Sequence, residues 1–218
     1  MSKVTYKWVL EQRSDEWLAA RIGKVGGSEA SDTYTKAKRE TLLYKKLAEL
    51  ATGEVEKVWV NDAMRRGIEN EGKVVALYEE KTGNRVYDCG QILNSDFEYA
   101  ALSPDGLVSE NADDILSPHT GAIEIKCPTS KQHIKNVLEM RRTSKPPKQY
   151  MPQLLHYFLI DESIQWVDFI TWDDRCSIDY ECVRLHLSDV EDELEDHKLN
   201  IERFSEELED GLDELGMI

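Results

Sequence analysis

The chain has 218 residues, 40% of them hydrophobic and 32% charged, with a formal net charge of −16. This length and composition suit a single globular domain with one substantial core. With no apolar run near the roughly eighteen residues of a membrane helix and no signal-like N-terminal segment, a cytoplasmic protein without membrane contact is expected.

The four cysteines, Cys89, Cys127, Cys176 and Cys182, include no Cys-x-x-Cys pair. Free thiols are therefore expected rather than a zinc site or an iron–sulfur cluster. The acidity is unevenly placed. From Ser188 to Ile218 thirteen acidic residues face only Lys198 and Arg203, so this stretch carries −11 and the other 187 residues only −5. Basic clusters at Lys36 to Arg39, at Arg65-Arg66 and from Lys131 to Lys148 could follow phosphates or could be solvated helix faces.

Taken in order, Ser14 is expected to cap a short helix whose buried side is Trp17, Leu18 and Ile22. Gly26-Gly27-Ser28 breaks the pattern, with Ser28 capping a second helix from Glu29. A glycine-lined helix start beside Arg21 suits an anion, and equally suits a plain capped turn. Arg39 to Ala51 reads as an amphipathic helix ended by Gly53. A longer helix runs from Asn61, its cap, to Lys81, with Glu71 on the same side as Val74, Val75 and Tyr78. Two strand-like stretches, Asn84 to Leu93 and Tyr99 to Val108, suggest antiparallel pairing. After a polar connection from Asn111 to Gly121 come a strand at Glu124 and a helix from Lys131 to Met140.

A basic, proline-containing loop from Arg141 to Lys148 follows, expected to be mobile or ordered by substrate. A helix from Gln149 to Ile160 places Gln153 and Tyr157 one turn apart. The body closes with a strand pair, Gln165 to Thr171 and Tyr180 to Leu187. From about residue 188 to 215 the pattern is an acidic amphipathic helix, expected to dock on the body or on a neighbouring subunit.

Two short stretches are hard to explain as packing. In Ile123-Glu124-Ile125-Lys126-Cys127 a strand's alternation sends the isoleucines to one face and Glu124 and Lys126 to the other, roughly 6–7 Å apart. Burying charge there is costly unless it is paired or metal-bound. Ser103-Pro104-Asp105-Gly106, some twenty residues upstream, can supply a second carboxylate. A surface salt bridge and a simple turn are the structural alternatives.

Pro104-Asp105, a spacer and Glu124-x-Lys126 resemble the motif of the PD-(D/E)xK nuclease superfamily. Five blocks in order narrow the resemblance to its lambda exonuclease, YqaJ-like viral recombinase branch, from about Glu11 to Asp173. They are Asp15-Glu16-Trp17 through Arg21-Ile22-Gly23 to Ser28; Arg66-Gly67-Ile68-Glu69-Asn70-Glu71; Leu102-Ser103-Pro104-Asp105-Gly106-Leu107; Glu124-Ile125-Lys126-Cys127-Pro128; and Tyr150-Met151-Pro152-Gln153. Two departures stand out: Gly26-Gly27 replaces residues that are often larger, and Pro152 precedes Gln153.

The resemblance implies an α/β (α+β), restriction-endonuclease-like core, a mixed central sheet flanked by helices. It implies that Glu71, Asp105, Glu124 and the main-chain carbonyl of Ile125 hold two Mg2+ ions, with Mn2+ able to substitute, as oxygen donors suit. Lys126 and Gln153 would attend the attacking water, so Asp105, Glu124, Lys126 and Gln153 are the implied catalytic set. Arg21, Ser28 and Ser103 would meet the 5′-phosphate. The implied activity is 5′→3′ degradation of one strand of linear double-stranded DNA, leaving a 3′ single strand for a partner annealing protein. The implied assembly is a ring-shaped homotrimer in virus- or prophage-encoded recombination. The −11 carried by the stretch from Ser188 to Ile218 motivates the further expectation that the acidic tails lie outside such a ring, away from DNA. A structure-selective endonuclease and a catalytically silent DNA-binding module are the competing readings.

Overall fold

The computed structural model describes residues 3–55, 62–109 and 119–218, without the side chains of 62–64. The expected Asn61 cap and most of the Asn111 to Gly121 connection lie outside the described residues. The chain order is β1 (Val4–Lys7), α1 (Asp15–Ala20), a 3-10 turn (Gly27–Thr33), α2 (Lys36–Thr52) and α3 (Asp62–Thr82). Then come β2 (Arg85–Tyr87), β3 (Gln91–Asn94), β4 (Gly106–Ser109), β5 (Gly121–Lys126), α4 (Ser130–Thr143), α5 (Met151–Ile160), β6 (Trp166–Trp172), β7 (Tyr180–His186) and α6 (Glu191–Glu214).

Five strands form a mixed sheet in the order β2-β4-β5-β6-β7. The β5–β6 pair is parallel, the other three antiparallel. A parallel neighbour needs a crossover, and here α4 and α5 supply it. Strand alternation then divides the core. Ala122, Val167 and Phe169 pack with Leu154, Leu155 and Phe158 of α5 and with Ile201, Phe204 and Leu208 of α6. Ile123, Ile125, Ile170 and Trp172 pack with Val74 and Tyr78 of α3. The mixed α/β architecture is the one expected from the sequence.

Several local expectations change. The stretches at Asn84 to Leu93 and Tyr99 to Val108 are not one hairpin: β2 joins β4 in the main sheet, whereas β3 leaves it to pair with β1. An isolated bridge between Ile92 and Leu102 is the remnant of the expected pairing. The turn at Gly90 divides the strands because Leu10 closes over it; a Cβ on Gly90 would lie 1.7 Å from the Leu10 carbonyl oxygen. Leu18 of α1 is exposed, and no α1 residue is buried. The helix expected from Glu29 is a 3-10 turn, and its cap is Gly26 rather than Ser28, because Glu29 bonds Gly26 through both its main chain and its carboxylate.

The Arg141 to Lys148 segment is mostly structured. Helix α4 runs on to Thr143 and ends with Ser144 in the left-handed region, and Pro146 and Pro147 are buried. One arginine in each of two basic clusters is tied up within the fold. Arg39 is buried, its Nε 2.9 Å from Glu207 of α6, and Arg66 reaches Asp173 and Asp174 of the β6–β7 turn.

The acidic C-terminal stretch is an integral helix. Ile201, Phe204, Leu208 and Leu212 are buried in the larger core cluster, while the acidic positions lie on the remaining surface of α6. Truncating from Ser188 would therefore open the core as well as remove charge. Among the described residues no helix is long and apolar enough to cross a membrane.

Candidate active site

Both faces of β5 are covered: the isoleucines face α3, and the face that carries Glu124 lies beneath α5. Glu124 points to the α5 side and is only 2% exposed. A carboxylate buried this deeply requires donors, and three arrive. Lys126 Nζ lies 2.6 Å from Oε1, Gln153 Nε2 donates to the same oxygen at 2.8 Å, and the Tyr157 hydroxyl donates to Oε2 at 2.7 Å. Gln153 and Tyr157 lie one turn apart on α5 and so reach both oxygens from a single helix face.

Pro152 does not disturb this pitch. It sits in the first turn of α5, where its missing N–H is no loss. Burial, reinforced by the charge of Glu124, holds the Tyr157 hydroxyl well above its ordinary pKa, so it remains a donor. Lys126 is lowered by burial but raised more strongly by Glu124 and Asp105, and its net shift is upward, toward the ammonium form.

Asp105 ends the turn before β4. Its Oδ2 accepts the Ile125 N–H at 2.7 Å, and its own N–H points at the Tyr157 hydroxyl at 3.4 Å. Because the N–H and C=O of a strand residue face the same edge, the Ile125 carbonyl shares the edge on which Asp105 sits. Burial, then the charges of Glu124 and Glu71, raise the Asp105 carboxyl well above the usual carboxylate range. Negative charge thus converges on Asp105 from both sides.

Glu71 stands across a cleft of about 350 Å³ lined by Glu11, Gln12, Arg13, Val86 and Asp105 among others. Its Oε2 accepts from Arg13 Nη2 at 3.0 Å. Among the described residues no three His, Cys, Asp or Glu side chains are drawn together as a metal-holding cluster.

Two of the residues expected to meet an anion, Arg21 and Ser103, touch Trp17. The Arg21 guanidinium lies 4.4 Å over its ring, and the indole N–H is shared between the Gly90 carbonyl and the Ser103 hydroxyl, each at 3.0 Å. Used there as an acceptor, Ser103 keeps its own proton for another partner. Burial lowers the Arg21 guanidinium, and Glu29 and Glu49 offset part of that shift.

The two glycines explain their own presence. A Cβ on Gly26 would come within 2.6 Å of Arg21 Nη2, and one on Gly27 within 3.2 Å of Gln153 Cγ. The Gly26-Gly27 turn therefore touches both Arg21 and the glutamine at Glu124. Ser28 follows it and is exposed.

Sequence reasoning passed over two participants. Tyr157 was read only as a neighbour of Gln153, and a buried tyrosine at helical spacing looks like core. Arg13 had no signal in the local pattern, because its partner is 58 positions away.

A mixed five-stranded sheet with two carboxylates and a lysine gathered at the β4–β5 edge is the frame of a nuclease-type site. Residues 16–162 match the YqaJ-like viral recombinase domain, and the chain belongs to that family. Among solved structures it is similar to the alkaline exonuclease LHK-Exo from Laribacter hongkongensis, at 33% identity and a TM-score of 0.79. The match covers 93% of this chain and 96% of that one. The structure of LHK-Exo in complex with dAMP matches at 34% identity and a TM-score of 0.78, over the same shares of both chains. No curated protein matches the chain. Family and fold together support a nuclease or recombinase role.

Proposed function

We propose that the chain is a Mg2+-dependent DNA exonuclease that degrades one strand of linear duplex DNA from its 5′ end, leaving 3′ single strands for recombination by strand annealing. The observation that carries this reading is the buried Glu124, held at once by Lys126, Gln153 and Tyr157 beside the charge-crowded Asp105. A binding module has no use for a lysine and a carboxylate locked together in this way. The LHK-Exo complex contains dAMP, a deoxynucleoside monophosphate of the kind that stepwise removal from an end would release.

Glu71, Asp105, Glu124 and the Ile125 carbonyl offer only oxygen, which suits a hard divalent cation, Mg2+ or Mn2+, better than zinc. The crowding that raises the Asp105 carboxyl is the electrostatic condition a bound cation relieves. Two such ions, when bound, would activate water and stabilise the leaving oxygen. The remaining work belongs to the chain. Lys126, carrying its proton, offsets charge on the transferring phosphoryl group and orients the attacking water. Gln153, fixed to Glu124 by one amide hydrogen, has a second with which to hold that water.

Arg21, Ser28 and Ser103 would receive the terminal 5′-phosphate. The guanidinium braced on Trp17 supplies charge, and the two hydroxyls supply donors. Such an end pocket makes the terminus itself part of the substrate. Ring-shaped trimeric assembly, an annealing-protein partner and action inside an infected or lysogenic bacterial cell complete the proposal.

The test is strand-resolved digestion of a linear duplex in Mg2+, with one 5′ end phosphorylated and the other not, beside a closed circle. Progressive loss from the phosphorylated 5′ end with the circle spared is the expected result, and Arg21→Ala should erase the preference between the ends. Cutting of the circle would instead establish an endonuclease. No cleavage in Mg2+ or Mn2+ would leave a DNA-binding module.

A further inference from the structure

Four carboxylates, Glu11, Glu71, Asp88 and Asp105, line the cleft beside Glu124, and the single cation among the described lining residues is Arg13. The segment that carries it is fastened on both sides. Leu10 is packed against Gly90, Gln12 Nε2 donates to the Pro104 carbonyl at 2.9 Å, Ser14 caps α1, and Trp17 bonds Gly90 and Ser103. The strap is thus sewn to the turn that holds Asp105. At its centre Arg13 has a φ of 72°, one of two non-glycine residues in the left-handed region among those described. An arginine at such a position is an uncommon choice where glycine would be unstrained.

The contact it makes is slight. One of five guanidinium donors meets Glu71 end-on, and both side chains remain solvent-accessible, Arg13 by 46% and Glu71 by 26%. Solvent weakens such a pair, so a divalent cation could displace it. A long side chain on a fixed strap then has its guanidinium free at the cleft, where phosphates of a bound strand would pass.

We infer that Arg13 is the resident counter-ion of Glu71. It neutralises the cleft before a divalent cation enters, and on entry it moves from the carboxylate to a backbone phosphate of bound DNA. Metal binding and DNA binding are thereby coupled through one side chain. This rests on the reading of Glu71 as a metal ligand.

The experiment uses Arg13→Gly, which suits the left-handed backbone, and Arg13→Asn as a second variant tolerated there. Calorimetric titration of DNA-free protein with Mn2+ should show at least threefold tighter binding in both variants than in the parent chain. In a Lys126→Ala background, where DNA is expected to stay uncut, both should bind duplex DNA more weakly. The slope of log affinity against log salt should be shallower by about one, the loss of one phosphate contact. Unchanged or weaker Mn2+ affinity, or an unchanged salt slope, overturns the inference. Glu71→Gln is the separate control: if it binds Mn2+ as the parent does, Glu71 is not a ligand and the role of Arg13 falls with that reading.

Discussion

Tyr157→Phe removes one oxygen from a fully buried side chain and leaves the packing volume of the ring nearly intact. That oxygen donates to Glu124 Oε2 at 2.7 Å and faces the Asp105 N–H at 3.4 Å. A hydrogen bond to a charged group contributes about 1.5–3 kcal/mol, and the carboxylate oxygen left behind is buried without its donor. For a chain of this size each kcal/mol moves the melting temperature by about 2–4 °C, so a fall of about 4–8 °C is expected for a 2 kcal/mol loss. Lys126 and Gln153 still hold the other oxygen, so Glu124 remains in place but swings more freely. Turnover should therefore fall about tenfold, equivalent to about 1.4 kcal/mol in the barrier, with DNA affinity unchanged. Scanning calorimetry and single-turnover digestion measure the two effects. A melting temperature within about 1 °C of the parent together with unaltered turnover would refute the assignment of Tyr157 as a positioning residue.

Lys126→Ala should abolish cleavage while DNA affinity is kept, because the ammonium serves the transition state more than the ground state; equal losses in a binding and a cleavage assay would contradict that role. Phe204→Ala, in the core beneath the acidic helix, should destabilise the fold by about 3–5 kcal/mol and lower the melting temperature on the order of 10 °C, read by thermal unfolding. Acid stability depends on a buried histidine chain. His156 Nε2 faces the Ala101 carbonyl at 3.2 Å, so it carries the proton there; His197 Nε2 then donates to His156 Nδ1 at 3.2 Å, and the Tyr34 hydroxyl donates to His197 Nδ1 at 2.9 Å.

Burial lowers His156 to about 4, while burial and the neighbouring His156 lower His197 to about 2. Below the unfolded value of about 6.5 the unfolded chain binds protons that the folded chain refuses, so stability should fall as pH drops below about 6.5, by up to about 1.4 kcal/mol per pH unit for each histidine, down to about 4 for His156 and lower still for His197. Denaturant titrations at pH 7 and pH 5 check this, and in His197→Gln the dependence should be shallower.

Periodicity made the helices readable, since α2, α3, α5 and α6 each carry an apolar face that must be buried. Charge on an apolar strand pointed to Glu124 and Lys126, because burial of that kind demands a reason. Pairings between distant stretches left no such trace. The split of β2 from β3 depends on Leu10 closing over Gly90, and the parallel β5–β6 register depends on a crossover of two helices. The same distance effect misdirected the reading of Arg39. Beside two other basic positions it reads as a phosphate-follower or as part of a solvated helix face, yet Glu207, 168 positions away, claims it. Tyr157 and Arg13 escaped for the converse reason, since each is unremarkable beside its neighbours and acquires its partner only in the folded chain.

The grip of α5 on Glu124 sets how the chain tolerates changes of length. Gln153 and Tyr157 hold the two oxygens of one carboxylate from a single helix face. One residue inserted between Tyr150 and Gln153 would rotate everything after it by about 100° and withdraw both donors in a single event, whereas a substitution at either position withdraws one. A library of single-residue insertions should thus find α5 closed to length change at positions where many point substitutions survive. In this helix the spacing of the chain is itself a condition of holding Glu124.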